Sequence, residues 1–340
     1  MTDERTEARD RWLSQVCPNM HSCAPASADA SFRHYLRLTL SDGCTRIVMD
    51  APPEHEDVRP WMQVQALLDQ AGVLVPQILA ADVKQGFLLL SDLGDTTYLR
   101  ALTGADFAQA NALYRAALRT LIRVQKSAYA HRLPAYDREM LHRELMLFPQ
   151  WYVARHCKIT LTATEQEHLD TVFNRILDHN LQEPRVFVHR DYHARNLMVV
   201  NADQADDRPG VIDFQDAVLG PLSYDLVSLF KDAYIQWPED MVIDWLVYYW
   251  ENARRAQLPV PEDFGEFFRA FEWMGVQRHL KVLGIFARLY YRDGKSAYLA
   301  DMPRVHDYVR AACARYSALS PLLRLLDRLA GQDRTDGYTF

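Results

Sequence analysis

Residues 187–200 read FVHRDYHARNLMVV, and this stretch decides how the rest of the chain is read. Six polar residues, His189, Arg190, Asp191, His193, Arg195 and Asn196, stand between two apolar runs that read as buried strand. Downstream, GVIDF at 210–214 is a second short apolar run. The two runs predict a hairpin joined by the polar loop NADQADDRP. Such a hairpin carries Asn196 at one root and Asp213 at the other, which brings two oxygen ligands together, a donor set that suits Mg²⁺. Asp191, on the preceding turn, is expected just across from that ion. A carboxylate there can accept the proton of a hydroxyl as the hydroxyl attacks a metal-bound phosphate.

Working outward, the first 90 or so residues predict a small mixed sheet with one inserted helix. TEARDRWLSQV has helical spacing, and CPNMHSCAPASADAS reads as a loop of small residues. FRHYLRLTL and CTRIVMD read as strands around the turn SDG. WMQVQALLDQ is an amphipathic helix stopped by Gly72, and VPQILAADVKQGFLLLSDLG is a strand, a turn and a buried strand ending at Gly94. Helical patterns then cover 104–130, part of 139–156, and part of 163–180, and everything after about Pro221 is helical. The expected architecture is α/β and bilobal: a β-rich lobe over 1–93 and a helical lobe over 94–340 that carries the charged loop. A cleft between lobes is the usual place for a ligand.

Composition narrows the class. A chain of 340 residues with nearly half of them apolar is long enough for two domains or one large bilobal unit. The formal net charge of −7, without a basic stripe, points away from nucleic acid. The five cysteines, Cys17, Cys23, Cys44, Cys157 and Cys313, are scattered and form no CxxC pair, so reduced structural thiols in a cytoplasmic protein are expected. The charged start MTDERTEARDRWL lacks an apolar secretory core. No apolar run approaches the roughly 18 residues of a membrane span. The reading is a monomer with a small-molecule substrate.

The charged loop resembles a known pattern. His189-Arg190-Asp191 with Asn196 five residues after the Asp, followed by Asp213-Phe214, is similar to the protein-kinase pattern H-R-D-x-x-x-x-N and D-F-G. With His193 it resembles more closely the aminoglycoside and choline phosphotransferase branch, whose loop reads H-G-D-x-H-x-x-N. LGPLSYDLVSL also looks like that branch's helix start after the metal Asp. The resemblance implies that Asp225 braces the catalytic loop through its backbone amides, and that the hinge backbone at Ser91, Asp92 and Leu93 binds the adenine of ATP. DASFRHYLR, IVMDAPPE, FLLLSDLGD and the segment QRHLKVLGIFARLYYRDGK look like the bacterial N-acetylmuramate/N-acetylglucosamine anomeric kinases of peptidoglycan recycling. That resemblance implies transfer of the γ-phosphate of ATP, with Mg²⁺, to the anomeric hydroxyl of an amino sugar.

The expected roles follow residue by residue. Asp191 is the base, supported by His193, Arg195 and Asp225. Asn196 and Asp213 are the metal ligands, and Asp216 is a weaker metal candidate. The amides around Ser31 and Phe32 cradle phosphate, and Val48 lies beside the nucleotide on its strand. A kinase-like site ordinarily has a strand cation paired with a helix Glu. Here Asp50 and Gln63 stand near those positions, so Arg33 is the first candidate for the missing positive charge and Arg195 the second. Arg278 and Lys281 share a helix face. With Arg288 and His193 they are the candidate acceptor contacts, because the lactyl carboxylate of N-acetylmuramate favours a cation. Three other readings stay open at this point. One is a metal-dependent hydrolase using His189, Asp191, His193, Asp213 and Asp216, since histidines suit transition metals. Another is a nucleotide-binding protein without transfer. The third is a phosphotransferase for an aminoglycoside, choline or another alcohol.

Overall fold

A computed structural model describes residues 2–27, 32–200 and 207–331. In chain order, α1 (Thr2–Val16) leads to β1 (Met20–Ser27), β2 (His34–Leu40), β3 (Thr45–Asp50), α2 (Val58–Gln70), β4 (Ile78–Asp82) and β5 (Phe87–Ser91). Helices α3 (Tyr98–Leu102), α4 (Phe107–Gln125) and α5 (Arg138–Leu145) follow, then a π-helical segment Phe148–His156 and α6 (Ala163–Asn180). The charged loop lies after β6 (Arg185–Val188) and before β7 (Leu197–Met198). Beyond it come β8 (Gly210–Val211), β9 (Val218–Pro221), α7 (Tyr224–Phe230), α8 (Glu239–Arg255), α9 (Phe264–Asp293), α10 (Met302–Arg315) and α11 (Ser320–Leu329).

Packing divides the chain into two compact units, Met1–Ser127 with Arg195–Ala217, and Ala128–Ala194 with Val218–Phe340. This grouping differs from a break at residue 93/94. Residues 94–127 and the β7–β8 hairpin pack with the sheet. The hairpin is held there by main-chain bonds from Val199 N–H to Thr96 O and from Val211 N–H to Leu74 O, each 2.8 Å.

In the first unit the sheet order is β1-β2-β3-β5-β4, and every pairing is antiparallel. The short links explain why the sheet is not mixed. Gly43 turns β2 into β3 and Gly86 turns β4 into β5, both at positive φ. At Gly86 a Cβ would sit 1.9 Å from the carbonyl oxygen of Ala51, so only glycine fits. The segment read as a small-residue loop is the edge strand β1. Its Pro25 sits beside a register shift, where an edge strand tolerates proline. α1 covers one face of the sheet, burying Trp12, Leu13 and Cys17 against Leu38, Val48, Phe87 and Leu89. α2 buries Val58, Trp61, Val64, Leu67 and Leu68 at helical spacing, and Asp57 caps it by accepting the Arg59 N–H.

The second unit is organised on α9, a 30-residue helix capped at the start by Asp263 and at the end by Gly294 in the left-handed conformation. From Phe271 to Gly284 every residue of α9 is buried, so it is a core helix rather than a solvated amphipathic one. Gly284 allows the close approach of the neighbouring chain, since a Cβ there would lie 2.5 Å from the Leu147 backbone. The short pair β6–β9 delivers the chain to the charged loop. Among the described residues no helix is long and apolar enough to cross a membrane.

Candidate active site

In the second unit, two buried carboxylates shape the charged loop through its main chain. Asp225, in the first turn of α7 and fully buried, accepts the His189 N–H at 2.7 Å and the Arg190 N–H at 3.0 Å. Burial pushes its carboxyl up to about 7, against the lowering effect of those two bonds. Asp232, just past α7, accepts the Ala194 N–H at 3.1 Å and the Tyr234 N–H at 3.0 Å. The bracing expected of Asp225 is therefore present in the geometry, and Asp232 braces the far end of the same loop. His189 accepts the Asp191 N–H at Nδ1, 3.3 Å away.

Arg190 has φ +76°, a conformation that favours glycine. Its guanidinium meets Glu144 Oε1 at 2.5 Å. The same carboxylate takes Lys281 Nζ at 2.9 Å and the Tyr136 hydroxyl. Lys281 also donates to the Tyr224 hydroxyl at 3.2 Å. Burial raises the Glu144 carboxyl, but Lys281 and Arg190 outweigh it and hold the group below its ordinary value. Lys281 is thus a buried support of the loop and not the open, sugar-facing cation expected from its helix spacing. The same correction applies to Arg278. It is 5 % exposed, donates to Ser228 Oγ at 2.8 Å and lies 3.8 Å from Asp191 Oδ1. The cause is that α9 is buried all round, so its cations turn to internal carboxylates. Arg288, further along α9, has no hydrogen-bond partner at its Nε among the described residues, and burial lowers its pKa.

The Asp191 side chain is 42 % exposed. Desolvation raises its carboxyl, but His193, Lys281, Arg278 and Arg190 together bring it below the ordinary value. His193 is buried, with its ring edge-on to Tyr234 at 5.5 Å between centroids.

In the first unit, the hairpin does what its spacing predicts. Leu197 pairs with Val211 and Met198 with Gly210. Asn196 accepts the Ile212 N–H at its main-chain oxygen, 3.1 Å, and its amide donates to Asp213 Oδ2 at 3.2 Å. A half-turn of that amide presents its oxygen alongside the carboxylate, giving the pair of oxygen donors a divalent ion needs. Asp213 has φ +63°, which Asp tolerates better than most residues, and Phe214 packs on Trp61 with centroids 4.9 Å apart. Gln215 donates to Asp213 Oδ1 at 3.0 Å, and the Arg33 guanidinium is 4.0 Å from the same oxygen. Asp216 is an exposed neighbour of Gln215. Among the described residues no three His, Cys, Asp or Glu side chains are grouped to hold a metal. Two protein oxygens suit Mg²⁺, which keeps waters and takes phosphate oxygens for the rest of its shell.

The strand cation question resolves by register. Val48 is fully buried under α1, so its side chain is enclosed in the core and not open to a ligand. Asp50 shares its face, and Arg5 donates to Asp50 Oδ1 from Nε and Nη2 at 2.9 and 2.7 Å. Arg9 adds its charge at 3.7 Å. Ile47 and Met49 take the other face, and Gln63 is exposed, so no charged pair spans β3 and α2. Arg33, mostly buried, is the cation that the fold brings to Asp213.

After β5, the Asp92 side chain is buried and held by Arg37 at 2.7 Å, and Ser91 Oγ accepts the Gln77 N–H at 2.8 Å. These contacts fix the backbone through Leu93 by its side-chain neighbours. Phe32 is 60 % exposed and stacks on His55. Arg195 is exposed, and Ser31 lies outside the described residues. Glu144, Ser228 and Asp232 were not legible as site residues. Each lies in an ordinary amphipathic or turn context, and its partners come from distant parts of the chain.

The profile described as a phosphotransferase enzyme family matches residues 22–260. Among curated proteins, an N-acetylmuramate/N-acetylglucosamine kinase of Neisseria meningitidis serogroup B is 48 % identical over 332 residues, covering 97 % of each chain. A protein of the same name from Pseudomonas aeruginosa is 46 % identical, covering 96 % of this chain and 97 % of its own. Among solved structures, an ADP-bound aminoglycoside phosphotransferase shares the fold with a TM-score of 0.59 at 14 % identity, covering 90 % of this chain and 97 % of its own.

Proposed function

The chain belongs to the phosphotransferase enzyme family, with a protein-kinase-like fold, and from that premise we propose that it transfers the γ-phosphoryl group of ATP to the anomeric hydroxyl of N-acetylmuramate and N-acetylglucosamine. The observation that carries this reading is the 48 % identity, over 97 % of both chains, to a kinase named for these two sugars.

Asp191 accepts the proton of the anomeric hydroxyl while that oxygen forms its bond to phosphorus and the bond to the departing ADP oxygen breaks. An anomeric hydroxyl is more acidic than an ordinary alcohol, so a carboxylate held below its usual value remains an adequate base. Asp225 and Asp232 keep the loop carrying Asp191 in shape through its amides. Asn196 and Asp213 would hold a divalent ion, Mg²⁺ by its preference for oxygen, and that ion would supply neutralisation of charge on the phosphoryl group. Arg33 adds positive charge at the same carboxylate and supplies what the strand lacks. Main-chain groups of Asp92 and Leu93 receive the adenine. Arg288, whose Nε has no hydrogen-bond partner among the described residues, meets the carboxylate that distinguishes N-acetylmuramate from N-acetylglucosamine.

The test is an ATP-to-ADP assay with Mg²⁺ across N-acetylmuramate, N-acetylglucosamine, kanamycin and choline, with phosphorus NMR of any product. A sugar 1-phosphate from the first two is expected. Turnover confined to kanamycin or choline overturns the acceptor, and ATP binding without turnover on any of the four overturns the transfer.

A further inference from the structure

We propose that Arg278 is the positioning residue for Asp191, a guanidinium anchored by Ser228 that sets the orientation of the base carboxylate. The inference rests on the reading of Asp191 as the base.

The charges around the loop are allotted unequally. Asp225 and Asp232 are 0 % and 1 % exposed, and their oxygens are occupied by main-chain N–H groups. Glu144 is occupied by Arg190, Lys281 and the Tyr136 hydroxyl. Asp191 is the most solvent-exposed of these four carboxylates, its side chain 42 % exposed, and Arg278 on α9 is within ion-pair distance of it. Nη2 of Arg278 is 2.8 Å from Ser228 Oγ and 3.8 Å from Asp191 Oδ1. The first contact is a hydrogen bond and the second is beyond hydrogen-bond length, so Arg278 is tied to α7 and only steers Asp191. A steered carboxylate keeps lone pairs for the incoming hydroxyl, whereas a bidentate Arg would consume them. Being 5 % exposed, Arg278 has little surface to offer a sugar.

Other charged and titratable groups act on Asp191, namely Arg190 and His193 on its own loop, Lys281 on α9 and Asp225 on α7, while Tyr224, Asp232 and Tyr234 act on Arg278. Arg190 and Lys281 are engaged by Glu144, whereas Arg278 is anchored on α7 by Ser228 and has its charge within ion-pair distance of Asp191.

The experiment compares Asp191→Asn, Arg278→Met, Arg278→Lys and Ser228→Ala by steady-state kinetics against pH, with folding checked by thermal melting. Arg278→Met is expected to lower kcat about tenfold to a hundredfold, the range for a misplaced reacting group. KM for ATP and sugar should stay nearly unchanged, and the acid limb of kcat/KM should move to higher pH. Arg278→Lys should restore part of kcat, and Ser228→Ala should lower kcat in the same direction by less. A rise in sugar KM with kcat and the acid limb unmoved makes Arg278 an acceptor contact and overturns the proposal. Should Arg278→Met not fold, wild-type kcat and pH profile in both Arg278→Lys and Ser228→Ala have the same force. Retained turnover in Asp191→Asn sinks the base assignment instead, whatever the Arg278 variants do.

Discussion

Replacing Glu144 with Gln tests whether one carboxylate holds the charged loop. The change keeps the size and one acceptor oxygen and removes the charge. It leaves Arg190 and Lys281, with side chains 15 % and 10 % exposed, without their counter-ion. Breaking a buried pair by removing one partner costs about 3–5 kcal/mol. Lys281 has no cheaper exit: shedding its proton at pH 7 from an ordinary 10.5 costs about 5 kcal/mol, at ~1.4 kcal/mol per pH unit. For 340 residues melting together, the unfolding entropy is about 0.7 kcal/mol/K, so Tm should fall by about 4–7 °C. Differential scanning calorimetry at pH 7 reads this directly. Adding Lys281→Met to Glu144→Gln removes one stranded cation and should recover part of the loss, and kcat should fall with Tm as Arg190 is released. A Tm within 1–2 °C of wild type, about 1 kcal/mol or less by the same entropy, would refute the reasoning, because it would mean the two cations find water or another partner at little cost.

Asp213→Asn should abolish the Mg²⁺-dependent gain in ATP affinity measured by calorimetric titration, and an unchanged gain removes Asp213 from the metal site. Glu183 accepts the Ser223 N–H and hydroxyl at 2.9 and 2.8 Å, and burial pushes its carboxyl from 4.5 up to about 7. A raised folded value means the folded state holds the proton more tightly, so the contribution of Glu183 to stability is fullest below pH 4.5 and declines as pH rises to about 7, by about 3 kcal/mol. Urea unfolding at pH 5 and 8 should show that decline in wild type and a flatter profile in Glu183→Gln. Gly284→Ala drives a Cβ to 2.5 Å from the Leu147 backbone and should cost about 1–3 kcal/mol, whereas at Gly275 the nearest atom is 3.8 Å away and alanine should gain about 0.5–1 kcal/mol from helix propensity; thermal melts of the two variants should move in opposite directions.

The charged loop and its hairpin were legible because their polar residues interrupt apolar runs, and a hairpin fixes which roots meet. Asn196 and Asp213 follow from that spacing alone. The expected resemblance to a phosphotransferase agrees with a family match spanning most of the chain. The strand β1 was not legible, since MHSCAPAS has neither alternation nor β-branched residues and is held by main-chain pairing with β2. The face of Val48 was not legible either. IVM is apolar on both sides of the strand, so period two has no contrast to read, and only α1 decides which face is covered. On α9, Arg278 and Lys281 read as a solvated or sugar-facing stripe because spacing gives relative direction only. Whether that direction is outward depends on Glu144 and Asp191, which no local pattern links to it.

Asp225 grips the loop by main-chain amides, which nineteen of the twenty amino acids supply alike, so it places almost no demand on what stands at 189 or 190 except that neither be proline. Position 190 is thereby open to change by descent. Glycine there satisfies the positive φ without help, and arginine satisfies it with help from Glu144. A lineage passing from glycine to arginine would gain a cation beside the base only if an acid stood at 144, and could afterwards lose that acid only by returning to glycine. The two positions are then expected to change together among relatives, while Asp225 stays fixed through either form of the loop.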